Sequence, residues 1–223
     1  MLEELKDRVL LVAQKAQREG LCKHKSGNFS MRDEKTGYLV ITPTGADRER
    51  LSVDDMVVMN MDAMVVENKT CLRPTSEALV HIRAYALRPE LRAVAHTHSM
   101  YATTFAVLAK PIPAIIYELS HLNCKKARIP VARYGRPGTP ALADSIVEPL
   151  QEADVLLMQG HGAMAVDASS IEEAYLKAAY IEELAEMYHH ALTAGNGIEP
   201  PVFSAEELQK WEYPKEIQFS HQK

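Results

Sequence analysis

Apolar residues at Leu2, Leu5, Val9, Val12, Ala13 and Ala16 recur at helical spacing, so the chain opens with an amphipathic helix for which Gly20 supplies the stop. From Gly27 to Met61 the texture changes to short β-rich runs, Tyr38-Leu39-Val40-Ile41-Thr42 and Met56-Val57-Val58-Met59, separated by polar turn segments. This pattern predicts strands joined by loops. Ser76 is positioned to cap a helix through Leu87, ended by the Arg88-Pro89 step, because proline disfavours helical geometry in the preceding residue. A strand is predicted from Leu91 to His98, a helix from Met100 to Leu108 and, beyond the breaks at Pro111 and Pro113, a buried strand from Asp154 to Met158. Ser170 and Glu173 have capping-box spacing, and Ala174, Ala178, Ile181, Leu184, Ala185 and Tyr188 mark a long helix up to Gly195. A loop and a short tail helix follow. Helices alternate with strands and no repeat intervenes, which favours one mixed α/β domain without ordering its strands.

Composition narrows the function classes. The chain has 223 residues, 47% of them hydrophobic and 25% charged, enough to bury a core without staples. A formal net charge of −5, with basic residues scattered, argues against nucleic acid as a partner. The N-terminal stretch has neither a signal-peptide core nor a long apolar run, so no export and no membrane span are expected. Cys22, Cys71 and Cys124 are odd in number and far apart, which suits reduced, buried thiols in a cytoplasmic setting.

The candidate chemistry lies in histidines and small-residue loops. In Ala93-Val94-Ala95-His96-Thr97-His98, period-two strand geometry puts both imidazoles on one face, where they could reach one ion. Nine histidines in the chain make a single His-x-His pair weak by itself, and a catalytic zinc site takes three protein ligands and leaves a position open. His161, in Gln159-Gly160-His161-Gly162, is the candidate third ligand, since flanking glycines permit close approach; the alternative is an ordinary turn histidine. His189 and His190 fall in the last turns of a helix, His24, His81 and His221 read as surface groups, and His121 is undecided. Pro74-Thr75-Ser76-Glu77 sets two hydroxyls and a carboxylate at a helix start, where an anion is favoured, or where an ordinary N-cap would sit. Ser26-Gly27-Asn28-Phe29-Ser30 and Thr42-Pro43-Thr44-Gly45 also suit backbone-cradled phosphate, though each alone is more often a turn.

The ordered set SGNFS, TPTG, PTSE, HTHS and GHGAM resembles the class II aldolase and adducin family over nearly the whole chain. Ile112–Tyr117 and Pro201–Ser204 are similar to stretches of its L-fuculose-1-phosphate-cleaving members. The resemblance implies a single αβα domain over residues 1–223 around a mostly antiparallel central sheet, with a mobile C-terminal tail from about residue 200. It implies His96, His98 and His161 as zinc ligands, manganese or cobalt being alternatives. Glu77 would bind the metal at rest and act as the base, and Asn28, Thr44, Gly45, Thr75 and Ser76 would surround a substrate phosphate. Tyr117 matches a proton donor set across a subunit interface, Tyr213 a mobile aromatic, and the assembly would be a homotetramer with active sites between subunits. The implied reaction cleaves a ketose phosphate to dihydroxyacetone phosphate and an aldehyde through an enediolate. Two departures bear on substrate: Lys25-Ser26 replaces a glycine and threonine, and the Arg136-Pro137-Gly138 turn looks more like that of the family's 3-oxo-tetronate 4-phosphate decarboxylases. Decarboxylation, L-ribulose-5-phosphate 4-epimerisation and a non-enzymatic, adducin-like interaction module are the other readings.

Overall fold

The computed structural model describes residues 1–210 of the chain. Helix α1 (Glu3–Arg18) carries Glu3 and Glu4 in its first turn and Lys15 and Arg18 in its last, each sign matching the helix dipole. Strands β1 (Asn28–Arg32), β2 (Leu39–Ile41), β3 (Val57–Met59) and β4 (Val65–Glu67) follow as an antiparallel meander. Helix α2 (Ala78–Leu87), strand β5 (Ala93–Thr97) and helix α3 (Met100–Val107) form the middle of the chain. Then come the short strands β6 (Ile112–Pro113), β7 (Arg128–Ile129) and β8 (Val131–Ala132), and helices α4 (Pro140–Ser145) and α5 (Val147–Glu152). Strands β9 (Val155–Met158) and β10 (Gly162–Asp167), the long helix α6 (Ile171–Ala194) and the short α7 (Ala205–Leu208) complete the described residues.

Eight strands join one sheet in the order β4-β3-β2-β1-β5-β10-β9-β8, antiparallel except for the β8–β9 pair. Alternation of side chains splits the core in two. Phe29, Met31, Val40, Ala93, Ala95, Leu157 and Ala165 face α1, α3 and α6, whereas Leu39, Ile41, Val57, Val94, Leu156, Met164 and Val166 face α2, α4 and α5. The expected αβα layering around a mostly antiparallel sheet is therefore the observed one. Because helices cover both faces, every residue of β5 is buried, and a strand buried on both sides carries His96 into the centre of the sheet. Asp154, at the start of β9, is held by Arg88 at 2.6 Å and by Lys177 at 2.7 Å, and Lys177 also reaches Asp167 at 2.9 Å. These ion pairs tie the end of α2 to β9, β10 and α6.

Several local expectations need correction. The residue preceding α2 is Glu77 and not Ser76, which is exposed; no side chain caps this helix, and the Glu77 N–H itself donates to Thr75 Oγ1 at 3.3 Å. Asn28 opens a strand instead of lying in a loop, because β1 finds partners on both edges. Helices α4 and α5 are additional to the expected elements, although Thr139-Pro140 supplies an N-terminal proline signal for the first. Cys22 and Cys124 are buried free thiols, but Cys71 is exposed, in a turn with φ 59°. Truncating the centre of the second core half should show how far the sheet depends on it. Leu156→Ala is expected to lower stability by about 2–5 kcal/mol, read as a shifted urea midpoint at unchanged slope.

Candidate metal centre

The register places the site. His96 on β5 lies opposite Asn28 on β1 and Met164 on β10, and His98 follows just beyond the strand on the same side. His161 sits in the β9–β10 turn, with Gly160 at φ 64° and the His161 N–H bonded to the Met158 carbonyl at 2.9 Å. A Cβ at Gly162 would come 2.3 Å from the Thr97 carbonyl oxygen and 3.3 Å from the His96 ring. Glycine is what lets this turn close on β5. Glu77 approaches from the start of α2, on the same side of the sheet.

The result is a cluster in which donor atoms of Glu77, His96, His98 and His161 all lie within 4.8 Å of one another. The Glu77 carboxylate spans two histidines, Oε2 lying 3.1 Å from His96 Nε2 and Oε1 2.9 Å from His161 Nε2. His98 Nε2 lies 2.9 Å from His96 Nε2. Burial alone would raise the Glu77 pKa, but hydrogen bonds and charge from His161 and His96 outweigh it and hold the group well below the usual carboxylate range. Burial, helped by His96 and His161, pushes His98 down to about 3, so its ring is neutral near pH 7.

These residues fit a divalent cation. His96 Nδ1 lies 2.8 Å from the Ala163 carbonyl, which can only accept, so Nδ1 carries the proton and the Nε2 lone pair faces His98 and Glu77. Where His96 is neutral, its Nε2 lone pair and the Glu77 carboxylate repel each other unless a cation sits between them. Tetrahedral bonds of about 2.0–2.1 Å to nitrogen would separate ligand atoms by roughly 3.3 Å, close to the contacts seen here. A nitrogen-rich set with one carboxylate suits zinc, manganese or cobalt.

The proposed anion loops adjoin this cluster. The Thr75 N–H donates to the Thr42 carbonyl at 3.1 Å and the Thr44 N–H to the Arg73 carbonyl at 2.9 Å, pairing the TPTG and PTSE segments. Gly45, at φ 67°, and Thr44 are exposed beside the exposed Ser76, whereas Thr75 is buried. The Phe29 N–H bonds Thr42 Oγ1 at 3.2 Å, which joins the SGNFS segment to the same corner. A Cβ on Gly138 would meet the Ser76 carbonyl at 3.4 Å, so the Arg136 turn closes on this corner too.

Tyr117, for which the resemblance implies a place across a subunit interface, opens a 3-10 turn packed near α6, its ring edge-on to Phe203 at 6.2 Å. His121 stacks near Tyr180 at 6.0 Å, His189 and His190 lie by Tyr101, and His24 is exposed. Tyr213 and His221 lie outside the described residues. His81, read as a surface group, is fully buried. Its Nε2 donates to Asn28 Oδ1 at 2.5 Å and its Nδ1 accepts from Ser30 Oγ at 2.7 Å, while the Asn28 amide N–H donates to Glu77 Oε2 at 2.8 Å. The Tyr85 hydroxyl ends the chain 2.8 Å from Ser30 Oγ. The signal was available: Glu77, just before α2, and His81, in its first turns, are four apart, and Asn28 and Ser30 lie on one strand face.

Residues 7–189 match the family described as Class II Aldolase and Adducin N-terminal domain. The chain belongs to this family. Among its relatives, a 5-deoxy-D-ribulose 1-phosphate aldolase of Bacillus thuringiensis serovar kurstaki is 29% identical over 209 residues, 94% of each chain. An L-fuculose phosphate aldolase of Escherichia coli O6:H1 is 34% identical over 191 residues, 86% of this chain and 84% of that one. A solved L-fuculose 1-phosphate aldolase structure superposes with TM-score 0.85 at 30% identity, covering 92% of this chain and 93% of its own. Class II aldolases of this kind are metal-dependent lyases, the enzyme class expected from the motifs.

The buried His81 predicts a pH dependence of stability. Burial first and the His96 charge second hold its ring down to about 3, against 6.5 in the unfolded chain, so below pH 6.5 the unfolded state binds the extra proton. Stability of the metal-free protein should fall as pH drops from 6.5 towards 3, with His81 contributing a slope of up to about 1.4 kcal/mol per pH unit. His81→Gln should flatten the dependence of urea midpoints between pH 7 and 5; equal slopes would exclude this role.

Proposed function

We propose that the protein is a zinc-dependent aldolase that cleaves a ketose phosphate resembling L-fuculose 1-phosphate into dihydroxyacetone phosphate and an aldehyde. The observation carrying this reading is one carboxylate, Glu77, braced between His96 and His161 with His98 alongside, next to the corner where the TPTG and PTSE segments pair. His96, His98, His161 and Glu77 would hold the ion. What a divalent ion supplies there is Lewis-acid polarisation of the ketose oxygens and charge stabilisation of the enediolate left by carbon–carbon cleavage.

The remaining steps belong to the chain's own groups. The Gly45 and Ser76 N–H groups and the Thr44, Thr75 and Ser76 hydroxyls, with Asn28 alongside, would hold the phosphate and anchor the substrate end that does not react. In the aldol direction Glu77 removes the proton next to the carbonyl. Bonded to two histidines its carboxylate is a weak base; released from them but still buried, it becomes a stronger one, because desolvation raises its pKa. In the cleavage direction the hydroxyl proton of the departing aldehyde half leaves to a base, the electron pair of the broken bond stays on the other half, and that carbon takes its proton from Glu77. Tyr117 from a neighbouring copy handles the proton of the aldehyde-side oxygen, which is why we assign a homotetramer with active sites between subunits. Free Cys22, Cys71 and Cys124, together with the absence of any described helix long and apolar enough to cross a membrane, support a cytoplasmic setting.

Glu77→Gln is expected to slow proton exchange on dihydroxyacetone phosphate by about 10²–10⁴-fold while metal remains bound, measured by isotope exchange and metal analysis; unchanged exchange would remove Glu77 as the base. Tyr117→Phe should slow sugar cleavage more than this exchange, and equal losses would argue against its role. Zinc-loaded enzyme given L-fuculose 1-phosphate, L-ribulose 5-phosphate and 3-oxo-tetronate 4-phosphate should release triose phosphate from the first. Epimer from the second or carbon dioxide from the third, with no triose phosphate, would replace the aldolase assignment.

A further inference from the structure

Arg48 opens a 3-10 turn (Arg48–Arg50) directly after the TPTG segment, yet its side chain is 4% exposed and turns inward. Gln14 of α1 tethers the turn by donating to the Arg48 and Leu51 carbonyls at 3.3 and 3.4 Å. The guanidinium lies 6.0 Å from the Phe29 ring centroid, and its Nη2 donates to the Ser26 carbonyl at 2.5 Å and to the Gly27 carbonyl. Its Nε and Nη1 are buried with no acceptor, and among the described residues no carboxylate pairs with it. A buried cation without a counter-charge is unfavourable, and arginine cannot relieve this by losing its proton.

The two carbonyls it holds belong to the peptide units whose N–H groups lie on Gly27 and Asn28. In a trans peptide the N–H points opposite to its carbonyl, so a cation on the oxygen side strengthens the donors on the other; the Asn28 N–H faces His96 in the β1–β5 pairing, which leaves the Gly27 N–H for an anion. Gly27 itself, at φ 76°, has no room for a Cβ, which would meet Cys22 Sγ at 2.4 Å and the His96 carbonyl at 2.6 Å. The loop is thus confined from behind by the thiol and β5 and gripped on its carbonyl side by Arg48.

We propose that Arg48 is a positioning residue of the anion-binding loop: it fixes the Ser26–Gly27–Asn28 backbone through two carbonyls and supplies the buried positive charge whose counter-ion is the substrate phosphate. This rests on the sugar-phosphate reading above. It also gives the loop's departure at Lys25-Ser26 a physical context, since an exposed lysine and a buried arginine then flank the same short segment.

The test uses the full-length, metal-loaded protein, with inorganic phosphate as the probe by calorimetry and KM and kcat on the ketose phosphate cleaved. Arg48→Met should weaken phosphate binding about tenfold, as expected for loss of charge-assisted hydrogen bonds, and raise KM more than it lowers kcat, with metal content unchanged. Arg48→Lys, which keeps the charge but not the planar fork, should recover part of the loss. Lys25→Met, removing only an exposed cation, should do less than Arg48→Met. Parental phosphate affinity in Arg48→Met, a parallel fall in metal affinity, or an equal loss in Lys25→Met would overturn the assignment. If Arg48→Met does not fold, Arg48→Lys decides, and unchanged phosphate affinity in it overturns the proposal. Failure of the unsubstituted protein to bind either phosphate or a ketose phosphate would instead overturn the sugar-phosphate reading, and this inference with it.

Discussion

The contact between Gly162 and Thr97 constrains everything around the candidate metal centre. Strand β10 must pair with β5 at a register that sets Met164 opposite His96, and at that register a Cβ at position 162 would lie 2.3 Å from the Thr97 carbonyl oxygen. Only a residue without a side chain lets the β9–β10 turn close, and only when it closes does His161 meet Glu77 at 2.9 Å. The same strand pairing holds His96, because the Ala163 carbonyl on β10 accepts its Nδ1–H and aims Nε2 inward. Backbone geometry, set by one glycine, thus orients two of the three histidines.

Around that frame the charges follow. A carboxylate at 7% exposure would ordinarily favour its protonated form, but bracketed by His96 and His161 it stays anionic. The Asn28 amide adds a further donor to Glu77, and the buried chain through His81 and Ser30 to Tyr85 holds that amide in one orientation. This chain runs from the metal centre into the layer between the sheet and α2, so a polar network is built into what would otherwise be apolar core. Such a network specifies a unique packing only when each member is satisfied, and here every link has its partner. Arg48, by contrast, has donors left over within the chain.

The helical layers divide the work. Helices α1, α3 and α6 cover one face with continuous apolar packing, and α6 alone contributes Ile171, Ala174, Ala178, Ile181, Leu184, Ala185 and Tyr188 to it. On the opposite face α2, α4 and α5 leave the ends of β1 and β5 to the polar cluster. The candidate metal centre sits where the second layer is shorter and a helix begins, an end whose free N–H groups and dipole favour an anionic group such as Glu77.

Much of this was legible in the order of residues. The spacing of apolar positions located α1, α3 and α6 with small boundary shifts, because a helix that buries one face must repeat it, and the period-two pair put His96 and His98 on one side. The glycines around His161 carried the need for close approach, and the motif set pointed to the family to which the chain belongs. The sequence was mute where contacts cross large separations. His81 looked like a surface residue because nothing near it in the chain predicts Asn28 or Ser30 as partners; these arrive from β1, 53 and 51 residues away. Burial of Arg48 against the Ser26 and Gly27 carbonyls likewise depends on how the turn after β2 folds under β1. Local periodicity is written residue by residue, whereas which edges of a sheet meet, and which polar groups end up facing one another across it, is decided only when the strands have chosen their neighbours.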